Sequence, residues 1–182
     1  MKGEDYYADD PELHKWTAAT LFMALIVVHE AFFGKLPRVK LEALFKESAV
    51  YATSLRMPPE MWPSTLDDFF VYWNHNVETL EITHWAKSLC KDLMWPKHIP
   101  FYFKPLGPLG RLLTTAWLPE RFAREYGLEL RPLRRGVYHL FVGWTAMTYP
   151  HLPRKLKTAT SRMYMKDLRN AVKKIESTGT WN

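Results

Sequence analysis

Seven histidines and a single cysteine hold most of the ligand and acid–base chemistry open to this 182-residue chain. His29 has the most telling surroundings, beside Glu30 in a run, Ala18 to Phe33, otherwise no more polar than threonine. A neutral imidazole there could ligate a metal or a haem iron, with a carboxylate fixing its tautomer. The competing reading is a core histidine bonded to a backbone carbonyl or to a buried Glu. His84 follows Thr83 on the apolar stripe of a long helix and is the second ligand candidate. His75, between Asn74 and Asn76, falls off that stripe and reads as a hydrogen-bonding surface residue. His14, His98, His139 and His151 sit at helix ends or beside prolines and form no constellation.

Glu78 and Glu81 are three apart, and Glu81 with His84 makes one Glu-x-x-His. A di-iron bundle needs such pairs from two helices, so a solvated helix face is the simpler account. There is no glycine-rich phosphate loop, no His-Glu-x-x-His and no nucleophile elbow. The lone Cys90 excludes an intramolecular disulfide and a cysteine-rich zinc site, and suits a reducing compartment.

These side chains need a helical frame. Asp9 or Asp10 can cap free backbone N–H groups, Pro11 suits the first helical position, and Glu12 favours the positive end of the dipole. The spacing predicts a first helix over Asp10–Phe33, ended by Gly34. Apolar on nearly every side, it is expected at the centre of the domain, with His29 and Glu30 buried and hydrogen-bonded. A second helix covers Arg38–Leu55, and the three prolines within Met57–Pro63 form a corner. Ser64 with Asp67 resembles a capping box that opens the longest helix, Ser64–Leu93, on which Leu66, Phe69, Trp73, Val77, Leu80 and His84 share a stripe. Lys97–Gly110 is proline-rich and reads as an irregular connector. Helices follow near Leu112–Trp117 and Pro119–Tyr126, from Pro132 to just before Tyr149-Pro150, and over Lys155–Ile175. With no alternating strand pattern and no repeat, the expected fold is all-α. It is read as a single globular helical domain over 1–182, built around a buried central helix, with a basic C-terminal helix at 154–176.

Apolar residues make up 47% and aromatics 15%, so a substantial core is expected rather than disorder. The formal charge of +6 concentrates at Arg131, Arg134 and Arg135 and between Arg154 and Lys174. Such a face could approach phosphates or an anionic membrane surface. No helix-turn-helix or RNA-binding aromatic motif accompanies it, so specific nucleic-acid binding is not expected. Acidic Glu4 and Asp5 after Met1 do not suit a signal peptide. The longest uncharged segment, Trp16–Val28, is thirteen residues. A bilayer needs roughly 20, so no transmembrane helix is expected.

Several segments taken in order resemble a known family. They are Tyr7-Ala8-Asp9-Asp10-Pro11-Glu12-Leu13, Trp16-Thr17-Ala18-Ala19-Thr20-Leu21, Leu55-Arg56-Met57-Pro58, Trp62-Pro63, Phe69 to Trp73 with Asn76, and Leu80 to Thr83. Trp117-Leu118-Pro119, Arg124-Glu125-Tyr126-Gly127 and Tyr149-Pro150 complete the series. Together they look like the catalytic domain shared by rubber oxygenase (latex-clearing protein) and the fungal oxygenase of the mycophenolic acid pathway. Ile26-Val27-Val28-His29-Glu30 and Met61-Trp62-Pro63 resemble the fungal branch.

The resemblance implies an all-helical oxygenase domain that uses haem b and O₂ on a hydrophobic, unsaturated, isoprenoid-type substrate in secondary metabolism. It also implies either a cytoplasmic protein or peripheral association with the endoplasmic reticulum membrane, since fungal members are membrane-associated through a segment N-terminal to this domain. In the family a haem-binding histidine precedes the Tyr-x-Ala-x-Asp-Pro run, and many relatives carry a histidine two residues after the signature Trp. Here six residues precede Tyr7, and the second position is Ala18. The expectation is therefore a chain truncated at its N-terminus relative to the family, with exposed apolar surface along the first helix. Any haem would take its ligand from the chain's own histidines, His29 first and His84 second, with Trp16 and Thr20 lining the pocket. The plain reading of Trp16 is core packing, and of Thr20 a backbone-bonded hydroxyl. The alternative function is a catalytically silent helical binding module that keeps the fold without haem.

Overall fold

A computed structural model describes residues 9–96 and 101–179. Tyr7, Ala8, His98 and Pro100 lie outside the described residues. Among the described residues all regular structure is helical, as expected. The chain divides into two units, Met1–Leu140 and Phe141–Asn182, with the boundary inside the seventh helix.

Helix α1 (Pro11–Phe33) begins where the sequence predicts, with Pro11 at its first position. The Asp10 carboxylate accepts from the Glu12 N–H at 2.9 Å, satisfying one of the free donors of the first turn. It ends at Gly34, whose φ of 80° lies in the region that side chains avoid and whose N–H donates to the Glu30 carbonyl. One stripe of α1 is buried: Ala18, Ala19, Phe22 and Ile26. Helix α2 (Arg38–Ser54) supplies Phe45 and helix α3 (Leu66–Thr79) supplies Phe69, and both rings close on Phe22, at 5.6 and 4.9 Å. Trp62, from the proline corner, lies 5.8 Å from Phe45 and 5.7 Å from Phe69. Burying a large apolar side chain contributes about 1.5–3 kcal/mol, so this cluster is the nucleus of the first unit.

The rest of α1 departs from the sequence reading. Leu21 is 48% and Phe33 64% exposed, Leu25 is also exposed, and Val27 through Glu30 are half-buried. A helix packed along one side buries only the stripe facing its neighbours, however apolar its other faces are. The membrane expectation also needs correction. At 23 residues α1 is long and apolar enough to cross a bilayer. An uninterrupted uncharged run is too strict a criterion, since Lys15 and His29 bound the run without making the helix polar. The Ala18–Ile26 stripe is nonetheless committed to the aromatic nucleus, a contact that a lipid-facing helix would forgo.

Helix α2 closes in a Schellman motif, with the Met57 N–H donating to the Ala52 carbonyl and the Arg56 N–H to the Thr53 carbonyl. Arg56 occupies the left-handed position at φ 64°, where glycine is usual. Across the helix starts, the Arg38 guanidinium donates to both Asp67 oxygens at 2.9 and 2.8 Å and to Glu42 at 2.7 Å. Thr65, not Ser64, caps α3 by accepting from the Asp68 N–H.

The long helix expected over Ser64–Leu93 is two helices. After α3 the backbone turns extended at Leu80, and α4 (His84–Met94) starts afresh with the Thr83 hydroxyl accepting from the Ala86 N–H. Thr83 has a cap to offer, so a local side-chain bond ends the continuity that the apolar stripe suggested. Helix α5 (Gly107–Trp117) begins earlier than expected, because Pro108 falls at a helix start, where proline is tolerated. It is followed by α6 (Glu120–Glu125) and α7 (Pro132–Thr148). Arg121 braces α6 on α3 by donating to the Val77 carbonyl at 2.5 Å. In the second unit α8 (Arg154–Lys157) and α9 (Ala159–Thr178) replace the one predicted tail helix, divided at Thr158.

Candidate functional site

His29 lies one turn before the end of α1, its ring 5.2 Å from that of Phe33. Its Nδ1 is buried and makes no hydrogen bond. The expected bond at this atom is therefore absent. A buried polar atom left unbonded costs free energy, and an outside partner, a water or a ligand, would relieve it. Trp62 Nε1 and Thr145 Oγ1 are unbonded in the same way. Next to His29, Phe32 meets Trp117 of α5 edge-to-face at 6.4 Å, so this end of α1 carries two aromatic contacts. An imidazole nitrogen in an apolar flank could supply one ligand to a haem iron. For haem b, that unbonded atom is the one feature at His29 that bears on the expectation.

The other predicted site residues lie elsewhere or are otherwise engaged. His84 is exposed at the first position of α4, with its ring 5.6 Å from Trp85. Trp16 stacks on Trp73 of α3 at 5.1 Å and 17°. The Thr20 hydroxyl donates to the Thr17 carbonyl at 2.7 Å. No three His, Cys, Asp or Glu residues gather to hold a metal among the described residues. Glu81 lies in the break between α3 and α4, which leaves the Glu-x-x-His without a helix to carry it.

Sequence reasoning passed over a cleft at the junction of α5, α6 and the first part of α7. It measures about 500 Å³ and is lined by Thr115, Arg124, Glu129, Arg135, Tyr138 and His139 among others. The Tyr138 hydroxyl accepts from the Trp117 indole N–H at 3.1 Å, which pins one wall. The signal available was Arg131, Arg134 and Arg135, but it gave charge without geometry. The perturbed groups lie away from His29. Burial, with a smaller push from Glu12, raises the Tyr72 phenol to about 12, and Lys15 lies over the same ring at 4.3 Å. Burial also raises the Cys90 thiol, while Tyr126 is raised by burial first and then by Cys90 and Glu125.

The all-helical frame is the fold that the resemblance to the oxygenase family implies. The chain belongs to the family described as "ER-bound oxygenase mpaB/B'/Rubber oxygenase, catalytic domain", whose model matches residues 1–147. Two mycobacterial proteins are also similar: "Uncharacterized protein Mb2261" of Mycobacterium bovis and "Uncharacterized protein Rv2237" of Mycobacterium tuberculosis. Each is 23% identical over 165 residues, 90% of this chain. The chain spans only 65% of the length of these relatives. No solved structure matches it with significance.

Proposed function

We propose that this chain is a haem-dependent oxygenase domain acting on a hydrophobic, unsaturated, isoprenoid-type small molecule, by oxidation or oxidative cleavage. The observation that carries the reading is the family match over 1–147. Support for the cofactor comes from the buried, unbonded Nδ1 of His29. His29 would hold the iron of haem b, and the bound haem would supply O₂ binding and activation.

The chain's own residues do the rest by shape and apolar contact. Phe33 beside the imidazole, and Phe32 against Trp117, would give an apolar ligand aromatic surface at this end of α1. Leu21 and Leu25 continue the apolar surface along the helix, offering contact to an aliphatic substrate but no acid or base. Ile26-Val27-Val28-His29-Glu30 favours kinship with the fungal branch, and the family's printed "ER-bound" supports work at an internal membrane.

The test is oxygen consumption by the haem-loaded chain given a short polyisoprene, with labelled O₂ traced into the product. Substrate-dependent uptake with label in a carbonyl product is expected. Haem loading without any uptake over a range of unsaturated isoprenoids would overturn the oxygenase reading and leave a binding module.

A further inference from the structure

All of the chain's net charge lies at one end. Residues 154–182 hold eight Lys and Arg against Asp167 and Glu176, a net of +6, whereas 1–153 hold seventeen charges of each sign, a net of zero. This end also lies beyond the 1–147 match to the catalytic domain, so a role for it is independent of the haem reading.

Helix α9 sorts these charges by face. At 3.6 residues per turn, Tyr164, Met165, Leu168, Ala171, Val172 and Ile175 share an arc of roughly 120°. Arg162, Lys166, Arg169 and Lys173 share an adjoining arc of roughly 60°. Ser161, in the first turn, is the polar residue within that arc, and an apolar stripe of this kind normally faces a core. Here Leu168 is 52% and Val172 43% exposed, and Tyr164 and Met165 are exposed with them. Lys166, Arg169 and Lys173 have no carboxylate partner among the described residues. Arg162 and the neighbouring Lys157 are by contrast engaged: the Arg162 guanidinium donates to the Lys155 carbonyl, and the Lys157 ammonium donates to the Pro150 carbonyl at 2.8 Å and lies over Tyr149.

We propose that α9 is a peripheral membrane anchor that lies in the surface of a bilayer rich in anionic phospholipid. The apolar arc would enter the boundary between headgroups and acyl chains, and the adjoining cations would meet the phosphates. Lys and Arg stems suit that boundary, since they run along apolar surface while their heads stay in water. Nucleic acid would satisfy the cations but leave Leu168 and Val172 in water, so the lipid surface is the occupant that uses both arcs. Such an anchor holds the first unit where greasy substrates dissolve.

The experiment is co-sedimentation of the full chain with phosphatidylcholine vesicles, with and without about 30% phosphatidylserine, at low and high salt. Strong binding is expected only to the anionic vesicles, weakened by salt. Lys166→Gln/Arg169→Gln/Lys173→Gln should lower partitioning about a hundredfold, since each cation near such a surface is worth about fivefold. Leu168→Ser/Val172→Ser, which leaves every charge in place, should lower it about tenfold or more. Both variants alter exposed side chains, and circular dichroism confirms that each stays folded. Equal binding to neutral vesicles, or no loss on replacing Leu168 and Val172, would overturn the proposal. So would duplex nucleic acid binding that depends on the basic arc alone, or a dimer broken by Leu168→Ser with no vesicle binding.

Discussion

Helices α1 and α9 are the two longest among the described residues, at 23 and 20, and they reverse what their sequences suggest. Residues of α1 are apolar nearly all round, yet only the Ala18–Ile26 stripe is buried, because Phe45, Trp62 and Phe69 approach from one side. The faces of α9 are far better sorted, yet none of its described side chains is buried. Burial is thus decided by what converges on a helix, and the pattern within the helix only sets what it could offer. In α1 the leftover face is apolar and carries His29. In α9 the leftover face is apolar beside cations, and that combination suits a lipid surface.

The sharpest way to break this contrast is to truncate one apolar side chain in each helix's surroundings. Phe69→Ala empties the centre of the nucleus around α1 and should cost about 3–5 kcal/mol in urea denaturation. Leu168→Ser in α9 should stay within about 0.5 kcal/mol. Equal costs would mean that α9 is packed after all. A smaller effect is expected at the end of α2, where Arg56 holds a left-handed backbone at φ 64°. Arg56→Gly relieves that conformation but frees the unfolded chain, for a net gain of up to about 1 kcal/mol in thermal melts. A loss there would show that the Arg56 side chain supports the corner.

Two pH effects test the first unit further. The Tyr72 phenol is raised to about 12, so the folded state keeps its proton while the unfolded state ionises near pH 10. The stability it contributes is complete below that point and falls as pH rises toward 12. Tyr72→Phe should flatten this alkaline loss; an unchanged curve would place the sensitivity elsewhere. The smallest effect belongs to Asp67, held below the usual carboxylate range by the Arg38 guanidinium in full solvent. Its contribution exists above the ordinary carboxylate pKa and disappears as pH falls through the depressed value. Asp67→Asn should therefore lower the melting temperature slightly at neutral pH and not in strong acid, and salt should shrink the difference.

Which helices exist was legible where a local signal marked their ends. Asp10, Pro11 and Gly34 bound α1, and Gly127, with φ 68°, follows α6. Errors arose where two local signals competed. The apolar stripe from Leu66 to His84 suggested one helix, but the Thr83 cap divides it. Thr65 beside Ser64 shifted the α3 cap by a single residue. Site residues were harder to read, because a site depends on which faces meet. Nothing in the spacing of Thr20 distinguishes a pocket hydroxyl from one bonded to the Thr17 carbonyl. The cleft lined by Arg124, Arg135 and His139 draws on three helices whose angles no sequence pattern encodes.

The central claim is that the unbonded His29 imidazole would ligate a haem iron, and titrating the purified chain with haem while following visible absorption tests it most directly. The parent chain and His84→Ala should each take up one haem and develop the same shifted Soret band, whereas His29→Ala should leave the spectrum of free haem. The same Soret shift surviving in His29→Ala would contradict the assignment. Absence of uptake by the folded parent chain would contradict the haem reading altogether.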